Sequence, residues 1–309
     1  MATGSDRAMV RVTRDLLGVA CDDIGTRSSL NNRNGQSTTS AGWRLARICS
    51  LLALALAAML APFAYAPPAR AADWIELPAA TGQPKVYVSV VKASAPGRAP
   101  VAIMLHGASG LTRFSLAALE MWSEWLSQRG ISSVIVDSYK GRGIRGEDDI
   151  QGAKWKTILF GRVTDTERTL AWLATQDWAD PARAFIFGQS TGGTVGIAAV
   201  IERGMTLPQV HTYPYCAKWL HDYVKPKPGY PPSLWLQGAD DTLAITAETK
   251  VCADKIAAAG NPNAVKMVII PGTKHAFDRS PREITYSGSA IETSKAEIAA
   301  FLKAHGFMR

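Results

Sequence analysis

The feature that most constrains the fold of this chain is a serine between two glycines, in the sequence Gly188-Gln189-Ser190-Thr191-Gly192. The apolar run 184–187 before it has the composition of a buried strand, and the segment 194–203 after it is typical of a helix. Glycines beside such a serine allow a sharp turn with closely packed backbone. The stretch predicts a strand, a tight turn that exposes the Ser190 hydroxyl, and a helix whose first amides point at it. The alternative is a Gly/Ser loop in another kind of α/β protein.

Segments of strand composition alternate with segments of helical periodicity along the rest of the chain. The predicted strands cover 85–91, 101–105, 133–136, 184–187, 209–213, 233–237 and 265–270. The predicted helices cover 115–128, 163–176, 194–203, 246–259 and 290–305. We expect the first strand at an edge of the sheet, and a glycine-rich, charged loop over 140–155. This alternation predicts an α/β fold with a doubly wound, mostly parallel sheet in one domain.

Acidic and histidine residues follow the serine in an informative order. A serine hydroxyl needs a base to accept its proton, and that base is typically a histidine oriented by a carboxylate. In α/β-hydrolases the chain order is serine, acid, histidine, each in a loop after a strand. Ser190, the pair Asp240-Asp241, and His275 occur in this order. Counting from Gly238 favours Asp241 as the acid, whereas alignment of the Ala-Asp-Asp run selects Asp240.

Two backbone amides are expected to hold the oxyanion that forms when a serine attacks a carbonyl group. Thr191 directly follows the serine, and Ala108 lies in the glycine-flanked loop 106–110 after the second predicted strand. That loop lacks the G-x-x-x-x-G-K-[ST] and G-x-G-x-x-G patterns of nucleotide sites. The predicted chemistry requires no metal and no organic cofactor.

The N-terminal region has the organisation of an export signal. Residues 1–40 are polar and without periodicity, which predicts a disordered extension or a start site placed too far upstream. Two arginines, an apolar run over 48–60 and Ala69-Arg70-Ala71 then predict a signal peptide over 41–71. An uncleaved membrane anchor is the alternative. We therefore expect a catalytic domain over 72–309 in a periplasmic or secreted protein.

The charge distribution argues against a nucleic-acid partner. The formal net charge of the chain is +8, but the charged residues of 72–309 are interspersed, without a basic run or a stripe of basic and aromatic residues. We expect no membrane partner after cleavage, and the sequence leaves the oligomeric state open. This region retains Cys216 and Cys252. An oxidising compartment favours a disulfide, with two separate buried thiols as the alternative.

Several blocks resemble the dienelactone hydrolase family of α/β-hydrolases, in particular its exported members. These blocks are His106-Gly107-Ala108-Ser109-Gly110, Val136-Asp137-Ser138-Tyr139 with Gly141-Arg142-Gly143, Phe187 to Gly193, and His275-Ala276-Phe277-Asp278. Tyr213-Pro214-Tyr215-Cys216 and Cys252 are similar to the exported members, which adds weight to the disulfide. The chain departs from the namesake enzymes at Ser190, where they have a cysteine, and at Ile245, where a proline is common.

The combined pattern predicts an exported serine hydrolase that cleaves a carboxylic ester or lactone. Three aromatic residues in loops, Trp155, Tyr215 and Trp219, are candidates for an apolar acyl pocket, although such residues equally often serve only in packing. A peptidase or a polyester depolymerase with the same triad is an alternative. A non-catalytic binding module on the same fold is a second alternative, which the presence of all three triad residues disfavours.

Overall fold

Eight strands form a single sheet in the computed structural model, which describes residues 74–152 and 154–308. The strands are β1 (Ile75–Glu76), β2 (Tyr87–Val91), β3 (Ala99–Leu105), β4 (Ser132–Asp137), β5 (Ala179–Gln189), β6 (Gln209–Thr212), β7 (Ser233–Gly238) and β8 (Val265–Ile270). Their order across the sheet is β1-β2-β4-β3-β5-β6-β7-β8. The pairings from β4 to β8 are parallel, whereas β1 and β2 join the sheet antiparallel. The predicted mostly parallel sheet is confirmed.

Helices cover both faces of this sheet. In the described part of the chain they are α1 (Arg113–Ser127), α2 (Lys154–Leu173), α3 (Thr191–Arg203), α4 (Thr246–Ala258) and α5 (Gly288–Ala304). Alternate residues of β3 point to opposite faces, as strand geometry requires. Met104 belongs to the core cluster that includes α1 and α5, whereas Ile103 and Leu105 belong to the cluster that includes α2 and α3. The sheet is therefore buried on both faces, which explains the uninterrupted apolar runs of its central strands.

Two sequence predictions are wrong in detail. β2 is not an edge strand, because β1 pairs along its outer side; β1 has two residues, too few to give a periodic signal. Helix α2 begins at Lys154 rather than at Val163, inside the predicted loop 140–155. Its first turns are stabilised by Leu159, which is buried, and by Trp155, which packs against two core clusters. The charged and glycine-containing sequence of these turns obscured that apolar side.

The carboxyl ends of the parallel strands bring the predicted site residues to one edge of the sheet. Ser190 directly follows β5, Asp241 follows the end of β7, and His275 follows the end of β8. Ala108 follows the end of β3, which lies beside β5. All described residues belong to one compact unit. Within residues 74–152 and 154–308, no helix has the combined length and apolarity that a membrane span needs. The predicted extension and signal peptide, 1–71, lie outside the described residues.

Candidate active site

Ser190 occupies a strained turn between β5 and α3. Its φ of 52° and ψ of −118° lie in a region that non-glycine residues rarely adopt. Such a conformation costs on the order of 1–3 kcal/mol and persists where its surroundings enforce it. Two hydrogen bonds do so here, because the Ser190 N–H donates to the Thr212 carbonyl (3.1 Å) and its own carbonyl accepts from the Tyr215 N–H (3.1 Å). The turn projects the serine side chain beyond the sheet.

The two glycines that flank Ser190 allow close backbone packing. A Cβ atom on Gly188 would lie 2.6 Å from the backbone of Gly192, a distance that real Cβ atoms do not adopt. A Cβ atom on Gly192 would overlap the carbonyl oxygen of Leu105 at the end of β3. Glycine at these positions therefore permits the turn itself. It also permits the contact between the start of α3 and the loop that follows β3, residues 106–110, called the β3 loop below.

A hydrogen-bonded relay connects Ser190, His275 and Asp241. The Nε2 atom of His275 lies 3.0 Å from Ser190 Oγ, and its Nδ1 atom lies 2.7 Å from Asp241 Oδ2. All three residues are buried to 8% exposure or less, which limits competition from water for these contacts. With Nδ1–H donating to Asp241, Nε2 is left as an acceptor that faces the serine hydroxyl. This arrangement suits proton transfer from Ser190 to His275.

The structure places Asp241, rather than Asp240, at the end of this relay. Asp241 Oδ1 accepts hydrogen bonds from the N–H groups of Leu243 (2.9 Å) and Ala244 (2.8 Å), and Oδ2 also accepts from Gln237 Nε2 (3.0 Å). These donors fix the orientation of the carboxylate. Asp240 is exposed. Its backbone N–H donates to the carbonyl of Thr273, in the loop that leads to His275. Sequence analysis did not identify Gln237 as part of the site.

Both predicted oxyanion donors lie beside Ser190. Thr191 is the first residue of α3, so its N–H has no acceptor within the helix. In the β3 loop, a Cβ atom on Gly107 would lie 3.3 Å from Ser190 Cβ, which brings the backbone that leads to Ala108 against the serine. Ala108 and Thr191 also line the same cleft as Ser190 and His275. Both residues therefore lie next to Ser190 on the wall of the cleft.

A cleft of about 670 Å³ opens above these groups. Apolar side chains form much of its wall. They include Ile150 from the segment before α2 and Leu243 from the loop between β7 and α4, which contains Asp241 and is called the acid loop below. Trp155 and Tyr215, two of the aromatic residues singled out in the sequence, also line it; the side chain of Trp219 lies outside the described residues. Charged residues contribute as well, since Glu147, Arg279 and Glu283 reach the cleft.

A buried carboxylate lies next to the relay and was not among the site residues predicted from the sequence. Asp278 Oδ1 accepts from the Tyr213 hydroxyl (2.6 Å), and Oδ2 accepts from Trp122 Nε1 (2.7 Å) and Gln189 Nε2 (2.9 Å). Burial raises the pKa of Asp278, while these donors act in the opposite direction. The Tyr213 ring packs against the His275 imidazole at 4.8 Å between centroids. Asp278 therefore links the residue before Ser190 to a neighbour of His275. Its only signal in the sequence is its place in the block His275-Ala276-Phe277-Asp278.

A disulfide joins Cys216 to Cys252. Cys216 follows Tyr215, whose N–H contacts the Ser190 carbonyl, and Cys252 lies in α4, the helix after the acid loop. The bond therefore connects a segment beside the nucleophile to a helix beside the acid. Among the described residues, no group of three or more His, Cys, Asp or Glu side chains has a metal-binding arrangement.

The doubly wound sheet, the strained serine turn and the Ser–Asp–His order together define the fold of an α/β-hydrolase. The dienelactone hydrolase family profile matches residues 86–306, and this chain belongs to that family. No curated protein sequence is significantly similar to the chain.

Solved structures with the same fold include esterases. Esterase 2 of Thermogutta terrifontis, phosphonylated by cyclosarin, has 16% identity and a TM-score of 0.59, covering 79% of this chain and 98% of its own. A Klebsiella pneumoniae protein assigned as a dienelactone hydrolase has 16% identity and a TM-score of 0.58, covering 75% of this chain and 98% of its own. A Bacteroides ovatus protein assigned as a dipeptidyl aminopeptidase IV has 14% identity and a TM-score of 0.58, covering 75% of this chain and 35% of its own. Identities this low show similarity of fold alone.

Proposed function

We propose that this protein is an exported serine hydrolase that cleaves a carboxylic ester or lactone through an acyl-enzyme. The observation that carries the proposal is the relay from Ser190 Oγ through His275 to Asp241, with contacts of 3.0 and 2.7 Å, at the floor of a cleft. Membership of the dienelactone hydrolase family supports hydrolysis as the reaction class. Because that family is named for enzymes with a cysteine nucleophile, Ser190 leaves open a substrate other than a dienelactone.

In the acylation half-reaction, Ser190 Oγ forms a bond to the carbonyl carbon of the substrate. His275 Nε2 takes the serine proton, and Asp241 stabilises the imidazolium that results. The carbonyl π electrons move to oxygen, and the N–H groups of Ala108 and Thr191 donate hydrogen bonds to this oxyanion. The oxyanion then collapses, the C–O bond to the leaving group breaks, and His275 gives its proton to the alcohol oxygen. A lactone follows the same steps, but its alcohol remains attached to the acyl group.

In the deacylation half-reaction, water replaces the alcohol. His275 Nε2 takes a proton from water as the water oxygen bonds to the acyl carbon, and the same two amides hold the second oxyanion. Collapse breaks the bond to Ser190 Oγ, which recovers a proton from His275, and the carboxylic acid product leaves. The donors to Asp241 from Gln237 and the acid loop keep the carboxylate in place throughout both steps.

The dimensions of the cleft favour a small-molecule ester as the substrate. Its volume of about 670 Å³ lies in the range of sites for small ligands. Its apolar wall near Ile150 and Leu243 fits the acyl or alkyl part, and the amides at its floor fit the carbonyl group. Among proteins with the same fold, the Thermogutta terrifontis enzyme has been solved with propionate bound. We therefore expect small carboxylic esters to be turned over.

Export is part of the proposal. The signal-like region 41–71 and the Cys216–Cys252 disulfide support a mature chain that begins near Ala72 and works in an oxidising compartment. Expression of the full chain in a secreting bacterial host, followed by intact mass measurement of the exported protein, tests it. A mass equal to that of a chain beginning near Ala72 would support cleavage, whereas a full-length membrane-bound product would favour the uncleaved anchor.

A panel of p-nitrophenyl esters with acyl chains of increasing length tests the function, with Ser190→Ala as the matched variant. The proposal predicts turnover of at least one ester by the wild type and a residual rate at least about 10³-fold lower in Ser190→Ala. Peptide p-nitroanilides and a polyester film belong in the same assay. Turnover of these in preference to every ester would favour the peptidase or depolymerase instead. Absence of turnover throughout, with Ser190→Ala indistinguishable from wild type, would favour a binding module.

A further inference from the structure

Arg162 is a buried cation beside the proposed oxyanion site. It lies on α2 and is 3% exposed, although arginine is rarely buried without a partner. The neighbouring carboxylate, Asp165, is already held by Arg142 at 2.6 Å, and no carboxylate among residues 74–152 and 154–308 forms an ion pair with Arg162. Burial lowers the pKa of Arg162, while Tyr139 and Asp165 act to raise it; a guanidinium still remains protonated in proteins. Arg162 is therefore held by hydrogen bonds and by the Tyr139 ring, 5.5 Å from its guanidinium, and not by an ion pair within these residues.

The two terminal nitrogens of Arg162 contact two different segments of the site. Nη1 donates to the Thr191 hydroxyl oxygen at 3.2 Å, and Nη2 donates to the carbonyl oxygen of His106. Thr191 carries one of the proposed oxyanion amides. The His106 carbonyl begins the two-peptide stretch that ends at the other amide, on Ala108. One side chain therefore bridges the start of α3 and the β3 loop, the two sources of those donors.

We propose that Arg162 is a positioning residue that holds both oxyanion amides in the orientation the transition state needs. This inference rests on the proposed function, because it concerns the same reaction. Arg162 does not touch the reacting atoms, and its effect passes through Thr191 and the loop from His106 to Ala108.

The shape of the guanidinium suits this role. Its N–H groups lie in one plane with fixed directions, so bonds from Nη1 and Nη2 set the separation of their two acceptors. The bond from Nη2 restrains the His106 carbonyl. The next peptide along the loop carries the Ala108 N–H, and its carbonyl, that of Gly107, lies 2.7 Å from His106 Nδ1. The two segments also abut at Gly192, where a Cβ atom would overlap the backbone of Leu105. A shift of either segment would therefore change the spacing between the two amides.

The positive charge of Arg162 is also expected to stabilise the oxyanion. Burial and the neighbouring Arg162 hold the pKa of His106 well below its usual value, so that His106 is neutral. Asp165 pairs with Arg142, and the Arg162 guanidinium faces the Tyr139 ring at 5.5 Å; Arg162 is the cation that contacts Thr191. A fixed positive charge in a buried environment stabilises a developing oxyanion more than it does a neutral carbonyl group. The expected effect of Arg162 is therefore on the transition state and not on substrate binding.

Three variants test the proposal. Arg162→Met removes the charge and both hydrogen bonds. Arg162→Lys keeps the charge but loses the two N–H donors held in one plane. Arg168→Met is the control, because Arg168 lies on the same helix and also donates to two backbone carbonyls, those of Pro84 and Pro78, away from the cleft. The measurements are kcat and KM for the best p-nitrophenyl ester, and the Ki of a matching trifluoromethyl ketone, whose adduct with Ser190 resembles the oxyanion.

We expect Arg162→Met to lower kcat by about 10²-fold with little change in KM, comparable to the loss of one oxyanion donor. The Ki of the ketone should rise by a similar factor. Arg162→Lys should show a smaller loss, about tenfold, and Arg168→Met should retain wild-type kcat and Ki. Should Arg162→Met not fold, Arg162→Lys decides the question, because a folded lysine variant with wild-type kcat and Ki overturns the proposal.

Other results overturn it as well. A loss that appears only in KM, or an equal loss of kcat in Arg168→Met, would show that Arg162 supports the fold or substrate binding instead. A wild type that turns over no substrate removes the proposed function and this inference together. An active wild type with unaffected Arg162 variants removes only the inference. The two failures are therefore distinguishable.

Discussion

Substitution of Asp241 by asparagine should almost abolish activity while leaving the fold intact. In the wild type, Oδ1 accepts two backbone N–H groups, from Leu243 and Ala244, and Oδ2 accepts from Gln237 and His275. An asparagine keeps the backbone bonds only if its oxygen occupies the Oδ1 position. Its NH₂ group then faces His275 Nδ1, which must become an acceptor.

That change of hydrogen-bond direction determines how much kcat is expected to fall. With Nδ1 as an acceptor, the neutral imidazole carries its proton on Nε2, 3.0 Å from Ser190 Oγ, and cannot serve as the base. A wrong tautomer of this kind lowers kcat by about 10⁴-fold in serine hydrolases. This corresponds to about 5 kcal/mol of transition-state stabilisation. The NH₂ group also faces Gln237 Nε2, and this donor–donor contact should cost about 1–3 kcal/mol of folding stability.

The assay compares kcat for the best p-nitrophenyl ester in Asp241→Asn and Asp240→Asn. Asp240 is the matched control, because it is adjacent in sequence but exposed. Thermal unfolding of both variants checks that they are folded at the assay temperature. A folded Asp241→Asn variant within tenfold of wild-type kcat, or an equal loss in Asp240→Asn, would show that Asp241 does not orient His275.

Two further predictions concern stability. The disulfide closes a loop with a sequence separation of 36 residues, so a Cys216→Ser/Cys252→Ser variant should lose about 4 kcal/mol in the free energy of unfolding, measured with urea; equal stability of variant and wild type would contradict this. Burial lowers the pKa of His211 from 6.5 to about 3. The unfolded chain therefore binds a proton at His211 between these values and the folded chain does not, so stability falls as pH falls. Between pH 7 and pH 4.5, His211 should lower the free energy of unfolding by about 2.5 kcal/mol. Urea unfolding of His211→Gln at the two pH values should lack this part of the decrease. The same decrease in both proteins would contradict the prediction.

The central sheet could be predicted because its strands are buried on both faces. Such strands read as continuous apolar runs, and β3, whose residues are all buried, contains the predicted run 101–105. β1 could not be predicted in this way, because it is formed by pairing with β2 and not by a local pattern. The first turns of α2 were missed since their stability comes from contacts of Leu159 and Trp155 with the core, which outweigh a charged, glycine-containing local sequence.

The order of residues predicted Ser190 and His275, which the structure brings within hydrogen-bond distance of each other. Counting from Gly238 favoured Asp241 but left Asp240 open, and the path of the loop after β7 determines which of the two meets His275. That loop directs two backbone N–H groups at Asp241 and leaves Asp240 exposed. Sequence order does not encode this difference.

Buried charges were the least predictable feature, because hydropathy assigns charged residues to the surface. Asp278 and Trp122 lie 156 residues apart, so the partners of the carboxylate become evident only in the fold. Arg162 did carry a local signal, since it lies at a spacing of three or four residues from Leu159 and Thr166, both buried on the same side of α2.

The most direct test of the account is intact mass spectrometry of folded protein treated with a fluorophosphonate probe, which reacts with an activated serine. We expect one adduct on the wild type and none on Ser190→Ala. We also expect that Ser109→Ala, which changes another serine lining the same cleft, remains labelled. An unlabelled, folded wild type, or a Ser190→Ala variant labelled to the same extent as the wild type, would contradict the assignment of Ser190 as the nucleophile.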